Sequence, residues 1–254
     1  MALTHLWPSV RGWCRTGAEQ PAFAWRLLIA RLRFFLTRRP PNGLVDPQGF
    51  PIDSERVLIS YWTLIVEREI RDAEWAAPFA AHPAPVALDV GANAGVFSHL
   101  LTTLNPRATV HAFEPLPTMA RHIANWAGQL KSDIRVTNAA VGDRTATATL
   151  YASAPNDSGA SLVATPGAAT PGIEVPVVTL DDTAPAGEIF LMKVDTEHYE
   201  LLVLRGATRV LNRTRFLILE VHRADELAAI QAHLGANWRC RRLTAADYLF
   251  TRTA

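Results

Sequence analysis

Val86-Ala87-Leu88-Asp89-Val90-Gly91-Ala92-Asn93-Ala94-Gly95-Val96-Phe97 is the stretch on which the fold turns. An apolar run ends in a carboxylate, passes two glycines and resumes with helical spacing, which reads as a buried strand, a tight loop and a helix start. Gly91 and Gly95 remove side chains where a ligand must approach the backbone, and the helix that follows turns its free N–H groups toward that ligand. Downstream, the apolar run Thr109-Val110-His111-Ala112-Phe113 ends in Glu114. A carboxylate at the tip of the neighbouring strand is placed to accept hydrogen bonds from ribose hydroxyls.

The loop lacks the Gly-x-Gly step of a dinucleotide site, and Asp89 beside it would repel a pyrophosphate. A carboxylate there suits a ligand bearing an ammonium and a sulfonium, which are the charges of S-adenosylmethionine. A nicotinamide-dependent oxidoreductase is disfavoured on the same two grounds.

The strand-helix alternation continues on both sides. A helix is expected from Ser54, as N-cap, to Phe79, ended by Pro78 and Pro83-Ala84-Pro85, and another over Leu116–Leu130 with Pro117 in its first turn. Ile134–Thr137 reads as a strand. Thr145–Ala152, Ser161–Ala164 and Ile173–Thr179 are short β-branched or alternating runs, expected to form an antiparallel insertion over the end of the sheet, where it would serve as a substrate lid. Then come a strand at Ile189–Asp195, a helix at His198–Leu211, a strand at Phe216–His222, a helix at Asp225–Leu234 and strands at Trp238–Leu243 and Asp247–Arg252. This order predicts an α/β fold with a parallel sheet and right-handed crossovers.

The 254 residues suffice for one large domain. Net charge is +1, so no global field calls for a nucleic acid, and Cys14 and Cys240 form neither a metal-ligand pattern nor a disulfide framework. Two free thiols fit a reducing, cytoplasmic compartment. Residues 1–39 hold seven arginines and one acid, which marks residues 1–50 as a basic arm and 51–254 as the main domain. Residues 22–37 of that arm read as a helix too short and too charged to span a bilayer. A helix packed on the domain is preferred there over one lying on a membrane surface, because its arginines do not keep to one face.

Several pieces in order resemble the FkbM family of S-adenosylmethionine-dependent methyltransferases. They are Leu88–Gly95, Phe113-Glu114-Pro115, Asn138–Gly142, Ser158–Leu162, Val178–Asp182, Met192–Glu197, Glu200, Leu204–Ala207 and Leu219–His222. One place departs: the family commonly has Gly after the acidic residue of K-x-D-x-E, and this chain has His198. The resemblance implies the seven-strand Rossmann-like methyltransferase fold with a final antiparallel strand, and methyl transfer to an oxygen nucleophile, often a hydroxyl on a sugar or specialised metabolite. A non-catalytic binding module of the same fold is the rival from another class.

Within that frame, Asp89 with the backbone at Gly91 and Gly95 is expected to hold the methionine end of the cofactor, Glu114 the ribose, and Asn138 with the backbone after it the adenine side, with Asp195 also at the cofactor. Asn93 serves equally as a turn former. Asp195, Glu197, Glu220 and His222 should gather at one end of the sheet, with His222 as the base that takes the acceptor's proton. Lys193 reads equally as an ion pair at a sheet face and as a catalytic group, Tyr199 as helix core, and Ser158 and Ser161 as acceptor contacts. No metal is expected, although a magnesium ion would suit the same carboxylates.

Overall fold

A computed structural model of the chain describes residues 20–37, 43–67, 70–151, 161–162 and 172–253. Its centre is a seven-stranded sheet. The strands are β3 (Val86–Val90), β4 (Thr109–Phe113), β5 (Ile134–Thr137), β9 (Ile189–Val194), β10 (Thr214–Glu220), β11 (Trp238–Arg242) and β12 (Asp247–Arg252). Across the sheet they run β11-β12-β10-β9-β3-β4-β5. β12 lies antiparallel to both its neighbours and the other pairings are parallel. Every residue of β9 is buried, as a central parallel strand covered on both faces requires.

The strand order reverses between β3 and β9, so the ligand crevice opens there. The register sets Asp89 opposite Lys193 and Val90 opposite Val194. Helix α4 (Val96–Leu104) starts from Gly95, whose φ is +80°. Helix α5 (Pro117–Leu130) carries Pro117 in its first turn, as expected.

The N-terminal layer consists of α1 (Pro21–Thr37), a hairpin of β1 (Leu44–Val45) and β2 (Pro51–Ile52), α2 (Glu55–Tyr61) and α3 (Ala73–Ala81). Helix α1 buries Phe23, Ala24, Leu27 and Phe34. The division expected at residue 50 falls inside the hairpin. Phe50 is fully buried, stacks on His99 at 4.3 Å and meets Trp126 edge-on at 4.9 Å. Asp46, also buried, accepts from Gln48 N at 2.9 Å, Phe50 N at 2.8 Å and the Tyr61 hydroxyl at 3.1 Å; its Oδ2 lies 2.6 Å from His99 Nε2.

The long helix expected over 54–79 is two helices. Ser54 caps α2, accepting from Val57 N, but a π-helical turn at Trp62–Glu67 follows, and Asp72 caps α3 by accepting from Glu74 N. Pro78 lies inside α3; the stop comes at His82, held extended before Pro83. The helix expected over 198–211 is likewise two short ones, α7 (Glu200–Arg205) and α8 (Thr208–Leu211). Strand β10 starts two residues earlier than expected and ends at Glu220, leaving His222 beyond it.

The insertion comprises β6 (Ala140–Val141), β7 (Ala146–Leu150) and β8 (Ile173–Val178), in the order β6-β8-β7. β7 pairs antiparallel with β8, but β6 pairs parallel with it, a strand too short for any alternation to announce. Ser161 forms a single bridge with Tyr151; Ser158 and 163–164 lie outside the described residues. The insertion is clamped to the main body where a Cβ on Gly206 would come within 2.0 Å of the Gly142 carbonyl oxygen. After β8 come α6 (Leu180–Thr183), β9 and α7–α8; after β10 comes α9 (Ala224–Leu234).

Candidate active site

A cavity of about 280 Å³ opens at the carboxyl ends of β3, β4, β9 and β10, near the lower edge of the roughly 300–1,000 Å³ usual for small-molecule sites. Of the expected residues, Gly91, Asn93, Glu114, Asp195, Glu197 and Glu220 line it. Asp89, Gly95, Asn138 and His222 are not among its lining residues.

Gly91 has φ +77°, and a Cβ there would lie 1.8 Å from the Asp195 carbonyl oxygen. Only glycine lets the two strand ends meet this closely, and the bond from Asp195 N to Val90 O at 3.0 Å holds them together. Asn93, at φ +51°, is both turn former and wall. Its N–H donates to Glu114 Oε2 at 2.7 Å, while Leu116 N donates to Oε1 at 2.7 Å. Burial pushes the Glu114 carboxyl up to about 7, against those two hydrogen bonds.

The remaining expectations shift for identifiable reasons. Strand β3 runs one residue past Asp89, so this side chain is fully buried against α4: Oδ2 accepts from Ser98 Oγ at 2.6 Å and Oδ1 has no hydrogen-bond partner. Burial raises its pKa. A Cβ on Gly95 would strike Trp126 at 2.7 Å and Ile123 at 3.0 Å, so this glycine brings α4 and α5 together. Asn138 spends its Nδ2 on the carbonyls of Glu114 (2.8 Å) and Pro115 (2.9 Å), fastening two strand ends, while Ala139, Ala140 and Val141 after it line the cavity.

The acidic end of the site is organised by Lys193. Its Nζ lies 2.7 Å from Asp195 Oδ2. Burial works against its charge, yet Asp195 and Asp89 overcome that and raise its pKa. Asp195 is in turn held low: burial opposes ionisation, but Lys193 and a hydrogen bond with Glu220 prevail. Glu220 bears the consequence. Burial, then the Asp195 charge, pushes it up to about 9, so this pair of carboxyls shares one proton at neutral pH. His222 Nε2 is 3.4 Å from Glu220 Oε1, and the His222 and His198 rings lie 5.7 Å apart. Glu197 is raised by burial and by Asp195.

The loop after β9 carries two left-handed residues, Glu197 at φ +52° and His198 at φ +74°. Glycine takes that conformation most readily; here the His198–Glu226 contact at 3.0 Å accompanies it. Glu200 braces the same loop by accepting from Thr196 N at 3.0 Å and Thr196 Oγ1 at 3.1 Å.

Tyr199, read as helix core, lines the cavity, as do Ser60 of α2 and Leu150 and Leu162 of the insertion. Nothing local marks Ser60 or Leu162; they arrive by tertiary packing. Ser161 donates to the Glu197 carbonyl at 2.7 Å and so ties the insertion to the loop.

Residues 89–239, more than half the chain, match the model for the methyltransferase FkbM domain. The chain belongs to the FkbM methyltransferase family. The cofactor is S-adenosylmethionine. A curated relative, the hexuronic acid methyltransferase AglP of Haloferax volcanii, is 27% identical over 140 residues. That match covers 54% of this chain and 56% of the relative, so the chain spans about half the length of the curated relative it matches. The N-terminal domain of human METTL16, solved with SAH, aligns over 94% of this chain and 96% of its own at 11% identity and a TM-score of 0.51, a likeness of fold alone. The magnesium protoporphyrin IX methyltransferase ChlM of Synechocystis PCC 6803 aligns over 89% and 97% at 12% identity and a TM-score of 0.48.

The residues present fit that cofactor of the FkbM family. A backbone cradle that a Cβ would fill at Gly91, a braced carboxylate at Glu114, the ionised Asp195 and an apolar wall at Ala139–Val141 match a ligand with an ammonium, vicinal hydroxyls and a flat base. When bound, S-adenosylmethionine supplies an electrophilic methyl group on a sulfonium.

Proposed function

We propose that the protein transfers a methyl group to a hydroxyl oxygen, on a sugar or a specialised metabolite. The observation that carries this reading is the gathering of Asp195, Glu197 and Glu220 on the cavity wall with His222 against Glu220. A hydroxyl attacking in line must be aligned and must lose a proton. In this reading Glu114 holds the ribose, Asp195 and the backbone at Gly91 and Asn93 hold the methionine end, and Ala139–Val141 face the adenine. Asp89 acts from behind, through Lys193. Glu220 keeps its own proton at neutral pH and orients His222, which takes the proton from the acceptor.

A second reading gives the base to Glu197, favoured because it lines the cavity and His222 does not. Two variants separate them. His222→Asn is expected to retain S-adenosylhomocysteine affinity and lose roughly 10²–10⁴ in turnover, with Glu197→Gln near wild type; the reverse pattern moves the base to Glu197. Full turnover in both would sink the base assignment. Among the described residues no three His, Cys, Asp or Glu side chains are grouped as metal ligands; activity lost to a chelator and restored by magnesium would overturn a metal-free mechanism.

The relative's name, a hexuronic acid methyltransferase, suggests a sugar, but the chemistry of the wall favours an uncharged one. Its described lining holds the carboxylates of Glu114, Asp195, Glu197 and Glu220 and no Lys or Arg, and residues 152–171 of the insertion contain no basic residue either. Mass spectrometry of products from labelled S-adenosylmethionine with neutral hexosides and hexuronic acids tests this: methylation of hexuronic acids alone would refute it. No methylation of any acceptor across a wide panel would favour the non-catalytic module. Among the described residues no helix is long and apolar enough to cross a membrane; with two cysteines and no disulfide framework in the sequence, the cytoplasm is the compartment we assign.

A further inference from the structure

Helix α1 is apolar on two sides. Phe23, Leu27 and Phe34 go into the domain. Facing away from them, Trp25 (58% exposed), Ile29 (60%), Leu32 (53%) and Leu36 (77%) recur at spacings of four, three and four residues. At 3.6 residues per turn this places all four within an arc of about 60° and along roughly 16 Å of helix. Phe35, 70% exposed, extends the stripe on one border. Exposed Arg26 and Arg33 line the other. Burial of one face does not explain this second stripe, and an exposed apolar row of this kind marks an interaction surface.

We propose that the outer face of α1 docks on an anionic lipid surface. The charge selects the partner. The helix holds Arg26, Arg31 and Arg33 and no acid, and residues 1–39 hold seven arginines against one Glu. A second copy of the chain would bring like charges together along the stripe. A nucleic acid would satisfy the arginines but leave the aliphatic row in water. A bilayer boundary with anionic headgroups accepts both: the apolar row enters the acyl boundary and the arginines reach the phosphates. Arg31 is already engaged, 4.5 Å over the Trp62 ring, which pins the helix to the domain. Phe23 meets Tyr61 edge-on at 5.9 Å, and the neighbouring Ser60 lines the cavity, so the lipid face lies one helix away from the site. The inference does not depend on the methyl acceptor or the base.

Flotation of the full chain with vesicles of phosphatidylcholine alone, and of phosphatidylcholine mixed with phosphatidylglycerol, tests it. The protein is expected to float with the mixed vesicles far more than with phosphatidylcholine, less so as salt rises. Arg26→Glu with Arg33→Glu is expected to lower partitioning at least about tenfold. Leu32→Glu with Leu36→Glu should abolish it, with melting temperature and S-adenosylhomocysteine affinity unchanged in both variants. Wild-type protein that stays unbound, or variants that float like wild type, would overturn the proposal. So would a concentration-dependent dimer, without vesicle binding, that Leu32→Glu with Leu36→Glu dissociates, since the occupant would then be a second copy.

Discussion

Glu114 meets a ligand already braced, since a backbone N–H holds each of its carboxylate oxygens and leaves one lone pair apiece for vicinal hydroxyls. Charge-assisted bonds contribute about 1.5–3 kcal/mol each, so Glu114→Ala is expected to weaken S-adenosylmethionine binding more than tenfold. Calorimetry giving equal affinities would remove Glu114 from the ribose. The carboxyl, pushed up to about 7 by burial, adds a pH signature. Only the ionised form accepts from both hydroxyls, so wild-type affinity should fall as pH drops below about 7, and Glu114→Gln should show no such fall. This residue was legible because its type and its place after an apolar run carry the chemistry. Asp89 was legible as a carboxylate but not in its orientation, because one further strand residue turns it toward Ser98 and Lys193. Tyr199 packs against the core, as its neighbours at helical spacing suggest, and lines the cavity as well.

The elements that escaped the sequence are those whose breaks leave no trace in periodicity. Most of the strands announce themselves as apolar runs, and six of the seven sheet strands begin within one residue of the expected start. The π-helical turn at Trp62–Glu67 lies within an apparently continuous helical pattern, and the left-handed pair Glu197–His198 falls at the expected start of a helix. The hairpin of β1 and β2 bears on where the domain begins, and we propose that it belongs to the folding unit. A chain starting at Pro51 loses Phe50, worth about 3–5 kcal/mol by analogy with core Phe→Ala changes. It also loses Asp46, leaving the buried Tyr61 hydroxyl and His99 Nε2 without their partner at about 1–3 kcal/mol each. Together these approach a typical total stability of about 5–15 kcal/mol. The truncated chain is expected to lose its near-UV circular dichroism and its cooperative melt; a sharp transition near that of the full chain would restore the boundary at residue 50.

Across the whole molecule, buried carboxyls set how stability follows pH. Glu220 is pushed up to about 9 and Glu114 to about 7, and Asp89, Glu197, Glu200 and Asp247 are raised as well, with burial the leading cause for each. Above pH of about 5 the unfolded chain has released protons that these groups still hold when folded. The unfolded state then binds fewer protons than the native one, so stability falls as pH rises through this range. The lowered groups Asp46, Glu74, Asp133 and Asp195 act in the opposite sense and cost stability only in acid. The melting temperature of the cofactor-free protein is therefore expected to peak near pH 5–6 and decline toward pH 9; a profile flat or rising over that span would contradict it. Finally, the clamp between Gly206 and Gly142 bears on mutational tolerance. Neither glycine has a positive φ, so space alone excludes a side chain at Gly206, and the obstacle is a carbonyl that no repacking of neighbours can move aside. In a saturation library selected for activity, position 206 should accept glycine only, however freely the surrounding loop varies.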